Sequence, residues 1–240
     1  MKKIKWGILL GIFAFFFFGA FNNAHAAIAY DASTSTFANP ASSLTFPHTV
    51  TGNHPILFVS TMINATSNTF SAVSYGGIAL TKINEILQTS QDYFISLWYL
   101  TAPPTGTNNI VATSTVSAYT EAMSISYTGA SKYQSDIIAN STSSQRASVT
   151  TSTLSATTAK NNSWVIMDAI ATQSLSAGAN TTERQEVTTN NPGHTLNDGN
   201  AAVSPPGSTA LNVTLAGSGT VAHIIAPFAP VNPSRRYILN

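Results

Sequence analysis

Leu211-Asn212-Val213-Thr214-Leu215 alternates apolar and polar side chains without a break. Successive side chains of an extended chain point to opposite faces, so the segment reads as a strand with one face in a core and one in water. Outward from it, runs of β-branched and aromatic residues recur every ~8–12 residues, separated by Gly, Pro, Asn and Ser, which is the spacing of a sandwich or barrel. Strands are expected near 28–33, 44–50, 56–64, 72–75, 78–87, 93–101, 109–114, 119–128, 147–154, 163–172, 182–189, 200–204, 211–215 and 220–228. Tyr75-Gly76-Gly77-Ile78 reads as a two-residue hairpin, because glycine accepts the positive φ of a primed turn. No segment keeps apolar residues at helical spacing for long; 82–88 and 131–139 have room for one helical turn each. The expected fold class is all-β, an antiparallel two-sheet β-sandwich with jelly-roll-like character.

Composition agrees with that reading. Charged residues make up 8% of the 240 residues and hydrophobic residues 43%, whereas ordinary domains carry about 25% charged residues. Ser and Thr fill about a quarter of the chain, so hydroxyls must build much of the polar surface, on strands and in turns. The apolar content is high enough for burial to offset the entropy of ordering the chain, which excludes a disordered Ser/Thr stalk.

The N-terminus has the three parts of a secretory leader: Lys2, Lys3 and Lys5, an apolar run from Trp6 to Phe21, and Ala24-His25-Ala26 as a small-residue cleavage site. The apolar run is shorter than the ~20 residues that span a bilayer. Cleavage after Ala26 is expected, leaving 214 of the 240 residues, a single sandwich domain over 27–230 and a short tail over 231–240. Loss of the three leader lysines leaves seven basic against nine acidic residues, a formal charge of −2. That balance gives no electrostatic footprint for nucleic acid and no attraction to anionic membranes after cleavage. With no cysteine, disulfides, thiolate metal sites and cysteine nucleophiles are excluded. The expected location is secreted or at the cell surface.

Val73-Ser74-Tyr75-Gly76-Gly77-Ile78-Ala79-Leu80-Thr81, Leu97-Trp98-Tyr99-Leu100-Thr101-Ala102-Pro103-Pro104-Thr105-Gly106 and Ser126-Tyr127-Thr128-Gly129 resemble a group of bacterial extracellular β-sandwich modules, as do Trp164-Val165-Ile166-Met167-Asp168-Ala169 and the apolar closing segment 221–228. The resemblance implies a jelly-roll-like sandwich in secreted, surface or phage-associated proteins. It carries no established activity and no functional residue.

For chemistry, the carboxylates come first. Glu183 and Glu186 differ by an odd number, so on one regular strand they would face opposite sides and make a poor glycosidase pair. Asp168 stands in an apolar run, where a carboxylate needs partners. His194 and Asp198 are expected in a loop from 190 to 199, where the imidazole could be oriented on the carboxylate; neither a Gly-x-Ser-x-Gly elbow nor a convergent ligand set accompanies them. Asn197-Asp198-Gly199-Asn200 offers two or three oxygens, fewer than the six to eight that calcium takes.

Tyr93-Phe94-Ile95-Ser96-Leu97-Trp98-Tyr99-Leu100 is apolar on both faces, so one face packs in the core and the other could stack on sugars. The ligand-binding candidates are therefore Trp98, Tyr93, Tyr99, His194 and Asp198. No catalytic residue, metal or cofactor is assigned. The expected function is a non-enzymatic surface module for adhesion, carbohydrate contact or assembly. The alternatives are a polysaccharide-active enzyme using Asp168, Glu183 or Asp198, and a self-assembling coat or filament subunit.

Overall fold

The computed structural model describes residues 27–187 and 193–232. The expected leader over 1–26, and the tail from 233 onward, lie outside the described residues. Strands β1 (Ala29–Val50), β2 (Ile56–Asn64), β3 (Phe70–Tyr75), β4 (Ile78–Ala79), β5 (Thr81–Gln88), β6 (Tyr93–Thr101) and β7 (Gly106–Thr128) form one sheet. A short helix, α1 (Ser135–Ala139), leads to the second sheet of β8 (Thr142–Thr157), β9 (Trp164–Ala171), β10 (Leu175–Ala177), β11 (Thr182–Val187), β12 (Gly193–Asp198) and β13 (Ser208–Phe228). All pairings are antiparallel, and the fold is an all-β two-sheet sandwich.

The order of the first sheet is β4-β3-β7-β2-β6-β5 with β1 also on β7; that of the second is β10-β13-β9-β12-β11 with β8 also on β13. These are one topology written twice. β1 corresponds to β8, β2 to β9, β3 to β10, β5 to β11, β6 to β12 and β7 to β13. The register repeats as well as the order. Ser60 of β2 lies between Leu97 of β6 and Met123 of β7, and Asp168 of β9 lies between Leu196 of β12 and Ile224 of β13. The β5–β6 ladder slips between Lys82 and Asn84, and the β11–β12 ladder slips at the matching point between Glu183 and Gln185. The chain is thus a tandem repeat whose halves meet face to face, with β1 against β11 and β8 against β5.

Several expected strands are fused. The segments 28–33 and 44–50 are one strand, β1, and the segments 109–114 and 119–128 are one strand, β7. The pair stays hydrogen-bonded through a bend, absorbed by register shifts from Ala38 to Ser43; such irregularities bend a ladder without ending it. β13 and β8 do the same, with shifts between Thr214 and Val221. Each bent ribbon folds the outer part of its sheet back over the inner part. Three apolar layers result. One lies between the repeats and includes Phe58, Ile95, Tyr127, Ile166, Leu196 and Phe228. One lies inside the first repeat around Phe46, Val59, Tyr75, Trp98 and Ile110, and one inside the second around Val165, Met167, Leu211 and Val213. This is why β2 and β9 are buried along almost their whole length and read as mostly apolar runs, interrupted only by Ser60-Thr61 in β2, which ends on the polar Asn64, and by Asp168 in β9.

The Gly76-Gly77 hairpin forms as expected, with φ of 56° and 83° and Tyr75 paired to Ile78. Of the two segments with room for a helical turn, 131–139 holds one, the helix α1, whereas 82–88 is strand β5, in keeping with the strand expected over 78–87, which divides into β4 and β5. Two further readings are corrected. The expected strand at 200–204 contributes only the bridge between Ser163 and Val203. The expected loop at 190–199 is strand β12 from Gly193 onward, its polar sequence accommodated because β9 and β11 flank it and supply backbone partners on both edges.

Candidate functional site

Four polar side chains converge between the repeats, each 0% exposed: Ser60, Glu121, Asp168 and His194. Alternation on β2, β7, β9 and β12 aims them into the central layer, between apolar neighbours such as Met62, Met123, Ile170 and Leu196. His194 Nδ1 is 2.7 Å from Glu121 Oε2, and its Nε2 is 3.0 Å from Asp168 Oδ1. Ser60 Oγ donates to Asp168 Oδ2 at 2.7 Å and lies 3.1 Å from His194 Nε2. Tyr119 donates its hydroxyl proton to Glu121 Oε1 at 2.5 Å. A carboxylate only accepts, so both ring nitrogens of His194 carry protons. Burial alone would lower the His194 pKa, but the hydrogen bonds and charges of Asp168 and Glu121 overcome it and push it up to about 9.

This cluster contains the residue types of a hydrolytic triad wired against that chemistry. A nucleophilic serine gives its proton to an unprotonated imidazole nitrogen, with the carboxylate behind the imidazole. Here the serine proton goes to the carboxylate, the imidazole has no free lone pair, and water has no access to the hydroxyl. What the arrangement does is tie Ser60 and Glu121 of the first repeat to Asp168 and His194 of the second.

A second tie flanks it. Tyr127 donates to Asp198 Oδ2 at 2.7 Å, and Arg184 Nε donates to the same oxygen at 2.8 Å. Asn200 N–H donates to Asp198 Oδ1 at 2.8 Å. Burial first, then the Asp198 charge, hold the Tyr127 phenol well above its usual range. Arg184 also covers the Tyr30 ring, 4.6 Å from its centroid. With both carboxylate oxygens of Asp198 committed, the 197–200 segment presents no calcium loop.

Two other histidines are buried neutral. His48 bonds Ser124, Ser126 and Thr34 inside the first ribbon, and burial brings its pKa down to about 4 despite the charge of Asp31. His223 meets Ser152 at 3.3 Å, and burial, helped by Arg146, lowers it to about 4.

His194 and Asp198 share β12 but do not bond each other; each is fully buried and bound to a different group. Trp98 is 7% exposed, packed in the first repeat's own core, and donates its indole N–H to Thr61 Oγ1 at 3.1 Å. Tyr93 and Tyr99 are half-buried against the central layer. Burial, and then the charge of Glu121, raise the Tyr93 pKa. The middle of β6 is covered on both faces, while Tyr93 and Tyr99 near its ends keep part of their surface exposed.

The expected separation of Glu183 and Glu186 is overturned. The bulge at Arg184 restores their parity, so Glu183 opposes Asn197 and Glu186 opposes Thr195 on one face. Sequence reasoning missed Glu121 and Ser60. Glu121 carried a weaker signal than Asp168, because Thr120, Ser124 and Ser126 around it make its segment look half-exposed, although β7 is buried on both faces from Thr120 to Tyr127.

Comparison of the chain with known protein families, with curated proteins and with solved structures returns no match. The chemistry of the side chains alone carries the functional argument. Among the described residues, no three His, Cys, Asp or Glu side chains are placed to hold a metal ion.

Proposed function

We propose that the chain is an exported, non-enzymatic β-sandwich module that works through its outer surface, in adhesion, carbohydrate contact or assembly. The observation that supports it is the fate of the convergent reactive groups: Ser60, Glu121, Asp168 and His194 are consumed in a closed tie between the repeats. Among the described residues, the outer strands β1 and β8 are rich in Ser and Thr, and each has a single ladder partner, β7 or β13, with its other side meeting the opposite repeat only in part, at β11 or β5. Such an edge offers backbone and hydroxyl groups to a partner. Export rests on the basic start, apolar run and small-residue site of the first 26 residues.

The test is co-sedimentation of the chain from residue 27 with insoluble cell-wall polysaccharides, run beside sedimentation equilibrium of the protein alone and a hydrolysis screen on the same polysaccharides. Retention on a polysaccharide or reversible self-association, without hydrolysis, is the expected result. Sustained turnover abolished by Asp168→Asn or Glu183→Gln would overturn the reading.

A further inference from the structure

The two repeats differ most informatively at one matched pair of positions on the β5–β6 and β11–β12 ladders. In the first repeat Lys82 opposes Trp98 and Glu85 opposes Ser96. Lys82 Nζ sits 2.6 Å from Glu85 Oε2 and 5.7 Å from the Trp98 ring centroid, so this corner carries its own cation. In the second repeat Glu183 stands where Lys82 stands, Glu186 where Glu85 stands, Asn197 in place of Trp98 and Thr195 in place of Ser96. The acid is kept, the ammonium is exchanged for a second carboxylate, and the indole for an amide. Among the described residues neither Glu183 nor Glu186 is bonded to a cation or a donor through its side chain.

The amide supplies an independent observation. Asn197 is 0% exposed, its Nδ2 is spent on Thr195 Oγ1 at 2.9 Å, and its Oδ1 has no partner. Leaving a buried acceptor without a donor costs free energy, and the facing residue across the ladder, Glu183, has no proton to give when ionised. A cation held between the strands β11 and β12 would give the Asn197 oxygen the partner it lacks and offset the paired carboxylates that face it across the ladder.

We propose that Glu183, Glu186, Asn197 and Thr195 form a calcium site on the second repeat, in the place where the first repeat uses the Lys82 ammonium. The donor set is oxygen only, with two carboxylates, one amide oxygen and one hydroxyl; calcium takes such hard ligands in flexible geometry and completes six to eight with water. Magnesium demands a tighter octahedron and dehydrates reluctantly, so it should bind less well. Affinity in the range of extracellular modules, about 10⁻⁴–10⁻³ M, is expected. Burial, and then the neighbouring Glu186, already raise the Glu183 pKa, as expected of two carboxylates facing one space.

Thermal unfolding of the chain from residue 27 in calcium up to about 10 mM, against magnesium and against sodium at equal ionic strength, tests the site. The wild-type Tm should rise by several degrees in calcium, by mass action on the folded state, and by less in magnesium. Glu183→Gln and Glu186→Gln should fold and lose the calcium response. Glu183→Lys should rebuild the ion pair of the first repeat, giving a calcium-free Tm at or above that of Glu183→Gln and no response to calcium. A wild-type Tm indifferent to calcium, a response that survives in the Gln variants, or a Glu183→Lys protein less stable than Glu183→Gln would each overturn the proposal.

Discussion

His194 is held between two carboxylates that belong to different repeats, Glu121 and Asp168. Removing one member of a buried charge network strands the others, which typically costs about 3–5 kcal/mol. His194→Ala is expected to lose that much in denaturant-induced unfolding. The mirror positions in the other repeat are occupied by Ile95, Ala222 and Ser60, so the molecule itself offers a neutral alternative set. The triple variant Glu121→Ala, Asp168→Ser, His194→Ile should lose less than His194→Ala alone, because no charge is left unpaired; a larger loss would contradict the argument. The pH dependence has two limbs. The folded pKa of His194 lies at about 9, above the unfolded value, so its contribution is complete below about pH 6.5 and fades as pH rises toward 9. His48 and His223 are depressed to about 4, so their contribution is complete above about pH 6.5 and is lost as pH falls toward 4. Each of these two shifts corresponds to on the order of 3 kcal/mol at most. Urea midpoints measured between pH 4 and 10 should fall on both sides of a maximum near neutrality.

At the scale of elements, the strands buried on both faces were the most legible. β2 and β6 match their expected spans, Ile56–Asn64 and Tyr93–Thr101, because runs dominated by apolar, aromatic and β-branched residues, each interrupted by one serine, leave little alternative. β12 was not legible. Its Gly193-His194-Thr195-Leu196-Asn197-Asp198 has turn-like composition, and only tertiary partners make its polar residues acceptable on a buried strand. Bulges were equally hidden, since a register slip leaves no mark on the sequence; that is why the parity argument for Glu183 and Glu186 failed. One turn position is tightly specified. Gly129 follows β7 with φ of 73°, and a Cβ there would overlap the Ala27 carbonyl. Gly129→Ala should therefore destabilise by more than the ~1 kcal/mol expected of a left-handed residue alone, read as a drop in Tm, whereas Gly77→Ala, which meets nothing within 4 Å, should show only the backbone penalty.

Over the whole molecule, the all-β sandwich could be read from the sequence but its duplication could not. The repeats preserve strand order, register and the site of a bulge while exchanging Ser60 for Asp168, Ile95 for His194, Glu121 for Ala222 and Lys82 for Glu183. What persists is burial pattern, which many sequences satisfy, and the asymmetry of the polar residues conceals the kinship. That asymmetry also gives the buried reactive groups their visible part in the fold: they hold the two repeats together. The most direct test is a pH titration of the histidine ring nitrogens by ¹⁵N NMR on the chain from residue 27. The tie predicts that His194 keeps both ring protons from acid up to about pH 9, while His48 and His223 stay neutral down to about pH 4. A His194 that titrates near the ordinary imidazole value of about 6.5 would mean that water reaches Ser60 and Asp168, and would contradict the account of a closed structural tie.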